Sequence, residues 1–244
     1  MAMMIVNNAK TAEPIAIMDA TLITSMRTGA AGAIAAKYLA RRNSKTMSVF
    51  GAGNQAYYQI LGMLTVFPGL QSIRLYDPSL SAMKSLVKKI KPLFKGELVS
   101  CSSGEECVKD SDIIATTTPS RKPILKNEWI SEGVHINAIG ADAPGKQELD
   151  PAILKRAKIF VDDREQASHS GEINVPLHKK QISSSGIFGV LGEAVTGKKK
   201  REKDNEITIF DSTGLAIQDI YAADWIIKQA KKSGKAKQII FETG

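Results

Sequence analysis

The sequence predicts an α/β protein with a doubly wound parallel sheet and a small, incomplete second lobe built from both chain ends. From Thr46 onward, short apolar runs alternate with helical periods, which is typical of a parallel sheet covered by helices. Both ends of the chain lie outside this alternation. The 244 residues, of which 43% are hydrophobic, are enough to bury a sizeable core.

The strands of the sheet are expected at a series of apolar runs. In chain order these are "TMSVFG", "SIRLYD", "ELVSCS", "DIIATTT", "HINAIG", "KIFVDD" and "ITIFDS". Helices are expected between them at residues 55–67, 79–93, 103–109, 151–157 and 187–196. Each connection is long enough to return the chain to a parallel strand.

The two chain ends are expected to form the second lobe. Residues 1–45 contain the strand-like run "EPIAIMD" and the small-residue helix "LITSMRTGAAGAIAAKYLA". Residues 215–244 begin with an amphipathic helix, "LAIQDIYAADWIIKQAKK", whose apolar residues recur at helical spacing. Residues 46–214 then form the sheet domain, and the C-terminal helix returns to the second lobe.

A glycine-rich segment, "SVFGAGNQAYYQ", joins the first strand to the first helix of the sheet domain. Gly51, Gly53 and Ala56 give the arrangement G-x-G-x-x-A: a tight turn, a close backbone approach to a pyrophosphate, and close packing of helix on strand. The helix N-terminus adds free N–H groups and a positive dipole end. The motif predicts a Rossmann-type dinucleotide site, in which Asn54 and Gln55 complete the loop.

Asp77 ends the next strand, where an acid commonly accepts hydrogen bonds from the adenosine ribose. A carboxylate there repels a 2′-phosphate, so we expect NAD as the cofactor in preference to NADP. The alternative is that Asp77 only begins a turn before Pro78.

Polar residues follow two later strands, where the ligands of an open α/β sheet bind. Thr116, Thr117 and Thr118 are expected at the cofactor, although they could equally satisfy backbone groups in a turn. Asp142 lies between glycines in "NAIGADAPGKQELD" and is a candidate acid or base. Its alternatives are an Asx-turn before Pro144 or a helix cap.

Several classes of function are not expected. The net charge of +8 comes from "KKIKPLFK", "GKKKREK" and "KQAKKSGKAK", in which aromatics are not interleaved with the basic residues as base stacking requires, so no nucleic acid is predicted as a partner. No apolar run approaches the roughly 18 residues of a membrane span, so we expect a cytoplasmic protein without a membrane partner. Neither the two cysteines nor the histidines have the spacing of a zinc site, so no metal is predicted.

A family resemblance rests on "RTGAAGAIAAKYLA", "GAGNQA", "TTTPSRKPIL", "NAIGADAPGKQELD", "VDDREQA" and "FDSTGLAIQD". In this order they resemble the ornithine cyclodeaminase/μ-crystallin family, which includes archaeal alanine dehydrogenases. The resemblance covers nearly the whole chain. It implies a homodimer with an NAD-binding Rossmann domain and a second domain for substrate binding and dimerisation.

The resemblance also implies site roles. Arg27 would hold the carboxylate of a small amino-acid or imino-acid substrate, a task that suits a guanidinium, although an exposed helix-face arginine is the alternative. Asp142 would be the catalytic acid and base, and Lys146 its ion partner or a substrate contact. Besides the residues of the glycine loop, Asp77 and the three threonines, the expected cofactor-binding set includes Ala138, Gly140, Ser212, Thr213 and Gly214.

The implied activities are conversion of L-ornithine to L-proline and ammonia, or of L-alanine to pyruvate and ammonia. A non-catalytic NAD(P)H-binding protein like μ-crystallin is the alternative. Family members carry an additional N-terminal portion with a lysine and a second substrate-binding arginine, for which this chain is expected to have no counterpart. A fragment, a natural short form and a non-catalytic relative therefore remain open.

Overall fold

The structure is a computed structural model, and it describes residues 2–239 of the chain. Contacts divide the chain into two compact units, Met1–Arg27 with Leu215–Gly244, and Thr28–Gly214. Residue 1 and residues 240–244, which belong to the end segments expected from the sequence, lie outside the described residues. The functional roles of the segments 1–45, 46–214 and 215–244 remain predictions.

The first unit contains a two-stranded antiparallel sheet and a long helix. Strand β1 is Met3–Asn7 and strand β2 is Pro14–Asp19, and Ile5 lies opposite Ile17. The sequence predicted β2 but not β1. Helix α9, Ala216–Lys232, also belongs to this unit. Helix α1, Thr21–Leu39, begins in it and continues into the second unit.

The second unit contains an eight-stranded sheet in which every pairing is parallel. Its strands are β3 Thr46–Phe50, β4 Ser72–Tyr76, β5 Glu97–Ser100, β6 Ile113–Thr116, β7 His135–Ala138, β8 Ala157–Val161, β9 Ile187–Val190 and β10 Ile207–Asp211. The order across the sheet is β5-β4-β3-β6-β7-β10-β8-β9. Strands β4 and β5 are added on one side of β3 and the later strands on the other, so the strand order reverses between β3 and β6. Doubly wound folds bind their ligands at such a reversal.

Helices cover both faces of this sheet. They are α2 Asn54–Val66, α3 Leu80–Ile90, α4 Gly104–Val108, α5 Pro151–Arg156, α6 Arg164–Ser170, α7 Asn174–His178 and α8 Leu191–Val195. Short polar side chains cap several N-termini by accepting a backbone N–H, namely Ser79, Ser103, Asp150 and Asp163. Within residues 2–239, no helix combines the length and the apolar character that crossing a membrane requires.

Alternate residues of the strands face two separate cores. In β3, Met47 and Val49 pack with α2 and α3 on one face, whereas Phe50 packs on the other face with Ile114 of β6. Buried strands of this kind are apolar on both sides, because helices cover both faces. The predicted α/β fold with a doubly wound parallel sheet is therefore confirmed.

One predicted helix is wrong over half of its length. The sequence pattern favoured a helix at 187–196, but Ile187–Val190 forms the edge strand β9, parallel to β8, and only Leu191–Val195 is helical. Ile187 and Gly189 are buried while Phe188 and Val190 are partly exposed, which is the two-residue period of a strand. A short apolar run does not distinguish strand from helix, so pairing with β8 decides the conformation.

Small residues let α1 and α2 approach closely within the second unit. A Cβ built on Gly62 would lie 2.6 Å from the carbonyl oxygen of Gly29, and one built on Gly29 would lie 2.4 Å from that of Tyr58. These separations are shorter than any real Cβ contact, so both positions require glycine. The small-residue character of α1 is thus a packing requirement of the second unit.

Candidate functional site

The candidate site lies at the carboxyl edge of the eight-stranded sheet. Gly51 follows β3, Asp77 follows β4, Thr117 follows β6 and Ser212 follows β10. Because all strands are parallel, their carboxyl ends meet at one edge, where ligands of open α/β sheets bind. Backbone hydrogen bonds continue beyond the strands: Gly51 N–H donates to Tyr76 at 2.9 Å and Thr117 N–H donates to Phe50 at 2.9 Å.

The glycine loop forms the turn that its sequence predicts. Gly51 has φ of +92°, and a Cβ there would lie 2.9 Å from the hydroxyl oxygen of Thr117. Gly53 is the N-cap of α2 with φ of −82°, and apart from its chain neighbours no atom of residues 2–239 lies within 4 Å of a Cβ built on it. Ala56 is fully buried beneath the loop. The first glycine is therefore required by the fold, whereas the open space at Gly53 leaves room for a ligand.

Two features of the loop suit a pyrophosphate. Gly53 provides no side chain to cap α2, and the first turn of the helix contains no acidic residue. The positive dipole end of a helix attracts anions. The loop thus fits the phosphates of a dinucleotide, which would be held by backbone N–H groups.

Asp77 connects the glycine loop to the turn after β4. One oxygen of its carboxylate accepts the N–H of Ala52 at 2.8 Å, and the other accepts the N–H of Ser79 at 2.7 Å. The second bond is the turn expected of an aspartate before Pro78. The first bond fixes the carboxylate beside the glycine loop, so the structural role of Asp77 coexists with a position suited to a ribose.

All three threonines at the end of β6 donate their hydroxyls to protein acceptors. Thr117 donates to the carbonyl of Phe50 at 3.0 Å. Thr116 and Thr118 donate to the carboxylate of Glu148, each at 2.7 Å. Their hydroxyls therefore stabilise the segment after β6, as expected if the threonines serve the turn. That they also contact a ligand remains a prediction.

Glu148 is an important residue that the sequence analysis missed. It is fully buried. Besides the two threonine hydroxyls, its carboxylate accepts the N–H of Thr118 at 2.6 Å and the N–H of Gly140 at 2.9 Å. Burial raises the pKa of Glu148, and these hydrogen bonds oppose the increase. The residue was visible only as the acid in "KQELD", which no motif distinguishes from a surface glutamate.

Two further buried carboxylates support this region. Glu172 accepts the N–H of Glu148 at 2.9 Å and that of Leu149 at 2.8 Å. Asp211 accepts the N–H of Glu172 at 2.8 Å and that of Ile173 at 3.1 Å. Burial raises the pKa of Glu172 well above its usual range, and burial raises that of Asp211 to about 7. Asp211 is the last residue of β10.

Asp142 is presented to solvent in the loop after β7. Its side chain is 59% exposed, and its carboxylate contacts the ammonium of Lys146 at 2.5 Å. Within the described chain, no backbone N–H is bonded to it, so neither the Asx-turn nor the helix cap is formed. The loop is fixed by Asn174, which accepts the N–H of Gly145 at 3.1 Å. An accessible carboxylate on an anchored loop can accept or donate a proton.

The loop after β10 is fixed by a partly buried acid and an amide. Asp162 accepts the N–H of Thr213 at 2.9 Å and that of Gly214 at 2.8 Å, as well as the hydroxyl of Ser212 at 3.1 Å. Gln166 donates to the hydroxyl of Thr213 at 3.0 Å. Ser212 N–H in turn donates to the carbonyl of Ala138 at 3.0 Å. The ends of β7 and β10 are thus held together.

Arg27 belongs to the first unit and is paired there. Its Nε donates to Asp219 of α9 at 3.0 Å, and its Nη1 lies 3.5 Å from the amide oxygen of Gln218. The side chain is 17% exposed. The alternative of a helix-face arginine in water is therefore wrong for this structure. Any carboxylate that Arg27 binds must compete with Asp219.

The comparisons with known proteins agree with one another. The model of the ornithine cyclodeaminase/mu-crystallin family matches residues 1–234. An alanine dehydrogenase of Archaeoglobus fulgidus is 50% identical over 242 residues, which are 99% of this chain and 74% of the relative.

Solved structures give the same result. An archaeal alanine dehydrogenase dimer with bound NAD has a TM-score of 0.93 at 49% identity. The match covers 98% of this chain and 74% of the dehydrogenase chain. The Δ1-pyrroline-2-carboxylate reductase of Thermococcus litoralis, in complex with NADH and L-proline, has a TM-score of 0.93 at 36% identity. The match covers 97% of this chain and 74% of the reductase chain. The chain belongs to the ornithine cyclodeaminase/mu-crystallin family, as its motifs predicted.

Proposed function

We propose that this chain is an NAD-dependent oxidoreductase that acts on the α-carbon of a small amino acid or of the corresponding imine. The observation that carries the proposal is the open backbone approach at Gly53, on the same sheet edge as the accessible carboxylate of Asp142. The first provides a phosphate site and the second a proton-transfer group. The proteins most similar to this chain include ones solved with NAD or NADH bound.

The cofactor is proposed to lie along the carboxyl edge. Backbone N–H groups after Gly53 hold the pyrophosphate, and Asp77 accepts the hydroxyls of the adenosine ribose. The backbone at Thr117, Gly140 and Ser212–Gly214 borders the nicotinamide half. When bound there, NAD supplies a hydride acceptor for a carbon–hydrogen bond. A carboxylate at position 77 disfavours the 2′-phosphate of NADP.

Asp142 is proposed to move the proton of the substrate nitrogen. As a carboxylate it accepts a proton from an ammonium, which leaves the amine required for oxidation at the α-carbon. It can also direct a water molecule to an imine carbon. The ammonium of Lys146 contacts this carboxylate. Lys146 is thus placed to orient the proton-transfer group that Asp142 provides.

The substrate and the assembly follow the relatives. Alanine and the cyclic imine of proline are the substrates suggested by the similar proteins, and ornithine is suggested by the family. We propose Arg27 as the ligand of the substrate carboxylate, since a guanidinium binds that group through paired donors. Residues 1–45 and 215–244 are proposed to contribute to substrate binding and to a homodimer, as in the archaeal dimer.

The experiment begins with titrations of the purified chain by NADH and by NADPH, followed through nicotinamide fluorescence. NADH is expected to bind more tightly. Turnover is then measured with L-alanine, pyruvate plus ammonia, Δ1-pyrroline-2-carboxylate and L-ornithine. Absorbance follows the first three reactions, whereas ornithine requires assay of proline or ammonia, because its cycle regenerates NAD.

A matched pair of variants tests Asp142. Asp142→Asn should abolish turnover and leave NADH affinity within about twofold. Asp224→Asn is the control, because Asp224 is 55% exposed and forms the same kind of i,i+4 ion pair, with Lys228. It should retain both properties. Turnover by Asp142→Asn removes the residue from the mechanism, and NADH binding without turnover of any substrate indicates a non-catalytic binding protein.

A further inference from the structure

Three buried carboxylates form a continuous series beneath the carboxyl edge of the second unit. Asp211 holds the backbone of Glu172, and Glu172 holds the backbone of Glu148. Glu148 in turn holds the ends of β6 and β7 through Thr116, Thr118 and Gly140. Each carboxylate thus fixes the segment that carries the next one.

The series is unusual because it contains acids without cations. Among residues 2–239, no lysine or arginine forms an ion pair with Glu148, Glu172 or Asp211, although all three are fully buried. Burying a carboxylate is costly unless hydrogen bonds satisfy it. Every hydrogen bond described above makes these carboxylates acceptors of N–H or O–H groups. Such an arrangement fixes geometry at a cost in stability.

Glu148 joins the segments that follow β6 and β7, beyond the last ladder pair of Thr116 and Ala138. Its Oε1 accepts both donors of Thr118, at 2.6 and 2.7 Å, on the segment after β6. Its Oε2 accepts the hydroxyl of Thr116 at 2.7 Å and the N–H of Gly140, on the segment after β7, at 2.9 Å. A Cβ on Gly140 would lie 2.2 Å from the carbonyl oxygen of Thr118. The two segments are therefore in direct contact, and the carboxylate adds to the hydrogen bonds that the N–H groups of Ile139 and Gly140 donate to the carbonyl of Thr116.

The position of this clamp identifies which half of the cofactor it affects. A Rossmann sheet consists of two mononucleotide-binding halves that meet at the central strand. Here β3, β4 and β5 with the glycine loop form the adenosine half, whereas β6 and β7 belong to the other half. Among residues 2–239, the hydrogen bonds of the Glu148 carboxylate go to Thr116 at the end of β6 and to Thr118 and Gly140, which follow β6 and β7. Its removal should disturb the nicotinamide half and spare the adenosine half.

We propose that Glu148 is a positioning residue that fixes the nicotinamide end of the cofactor site by holding the segments after β6 and β7 together, with Glu172 and Asp211 as its support. This inference rests on the proposed NAD-dependent function. Glu148 is buried beneath the edge and so contacts neither cofactor nor substrate. It acts through the backbone at Thr118 and Gly140.

The test compares NADH with ADP-ribose, which lacks the nicotinamide. Glu148→Gln keeps the side-chain shape but replaces one acceptor oxygen by a donor, so that either Thr118 or the Thr116–Gly140 pair loses its partner. We expect the dissociation constant of NADH to rise at least tenfold and that of ADP-ribose to change less than twofold. A general loss of structure would weaken both ligands equally.

The control variant is Thr208→Val. Thr208 is also buried in this sheet and its hydroxyl contacts His135, Leu39 and Arg201, but it lies near the amino end of β10. It should lose stability and retain both affinities. If Glu148→Gln does not fold, Thr116→Val removes one of the hydroxyl donors to Glu148 and should raise the NADH dissociation constant about threefold, again without affecting ADP-ribose.

Each result has one meaning. A selective loss of NADH affinity in the Glu148 or Thr116 variant supports the positioning role. Equal loss of both ligands, or unchanged NADH affinity, overturns it while the proposed function stands. If the unaltered chain binds neither NADH nor ADP-ribose, the proposed function fails, and the positioning role fails with it.

Discussion

Replacing Gly53 by alanine is expected to separate cofactor binding from folding. The residue has φ of −82°, which alanine adopts without strain, and a Cβ there would meet no atom within 4 Å in the described part of the chain, its sequence neighbours aside. Alanine is a poorer N-cap than glycine, but it also restricts the unfolded chain. These effects oppose each other and are each of the order of 0.5–1 kcal/mol. The free energy of unfolding should therefore change by less than about 1 kcal/mol.

The same open space is where a pyrophosphate must approach the backbone. A methyl group on Gly53 occupies it, so the phosphates lose contact with the N–H groups of α2. We expect the dissociation constant of NADH to rise at least tenfold, which corresponds to about 1.4 kcal/mol. Fluorescence titration with NADH measures the affinity, and urea denaturation measures the stability.

Gly186→Ala is the matched control for this substitution. A Cβ built on Gly186 likewise meets no described atom within 4 Å beyond its chain neighbours, and Gly186 lies outside the left-handed region, but it precedes β9 at the amino edge of the sheet. It should alter neither NADH affinity nor stability. If Gly53→Ala binds NADH as tightly as the unaltered chain, the glycine loop does not hold a pyrophosphate, and the site assignment fails.

The remaining predictions concern specificity, packing and pH. Asp77→Ser should reduce the ratio of NADH to NADPH affinity at least tenfold, because it removes the charge that repels a 2′-phosphate; an unchanged ratio in parallel titrations would contradict this role. Gly62→Ala should lower the free energy of unfolding by about 1–3 kcal/mol in urea, because its methyl group would collide with the carbonyl of Gly29, and stability equal to the unaltered chain would argue against the helix contact. Burial lowers the pKa of His135 to about 3, so only the unfolded chain takes up a proton there as pH falls below about 6.5, and the folded state loses about 1.4 kcal/mol per pH unit. The loss in free energy of unfolding caused by His135→Gln should therefore be about 2 kcal/mol smaller at pH 5 than at pH 7. The raised pKa of Asp211 gives a pH dependence of the opposite sign, but it cancels in this difference because both proteins contain Asp211. A loss that is the same at both pH values would refute the assignment.

Local sequence patterns determined most of the strands and the glycine loop. Runs such as "TMSVFG" and "ITIFDS" are apolar because both faces of their sheet are buried, so the pattern itself reports the environment. The turn at Gly51 could be predicted from the sequence, because only glycine readily adopts its φ of +92°. These signals lie within a few consecutive residues, and a reader of the sequence has all of them.

Contacts between distant segments decided the rest. Whether 187–190 is strand or helix depends on pairing with β8, and Arg27 meets Asp219 only because two segments at opposite ends of the chain fold together. The roles of Glu148, Glu172 and Asp211 depend on backbone N–H groups between 8 and 39 positions away in sequence. The sequence shows that a residue is a glutamate or an aspartate, but not whether its carboxylate is exposed or buried. Only the tertiary structure shows which donors surround it, because its hydrogen bonds are made by residues that no local pattern brings together.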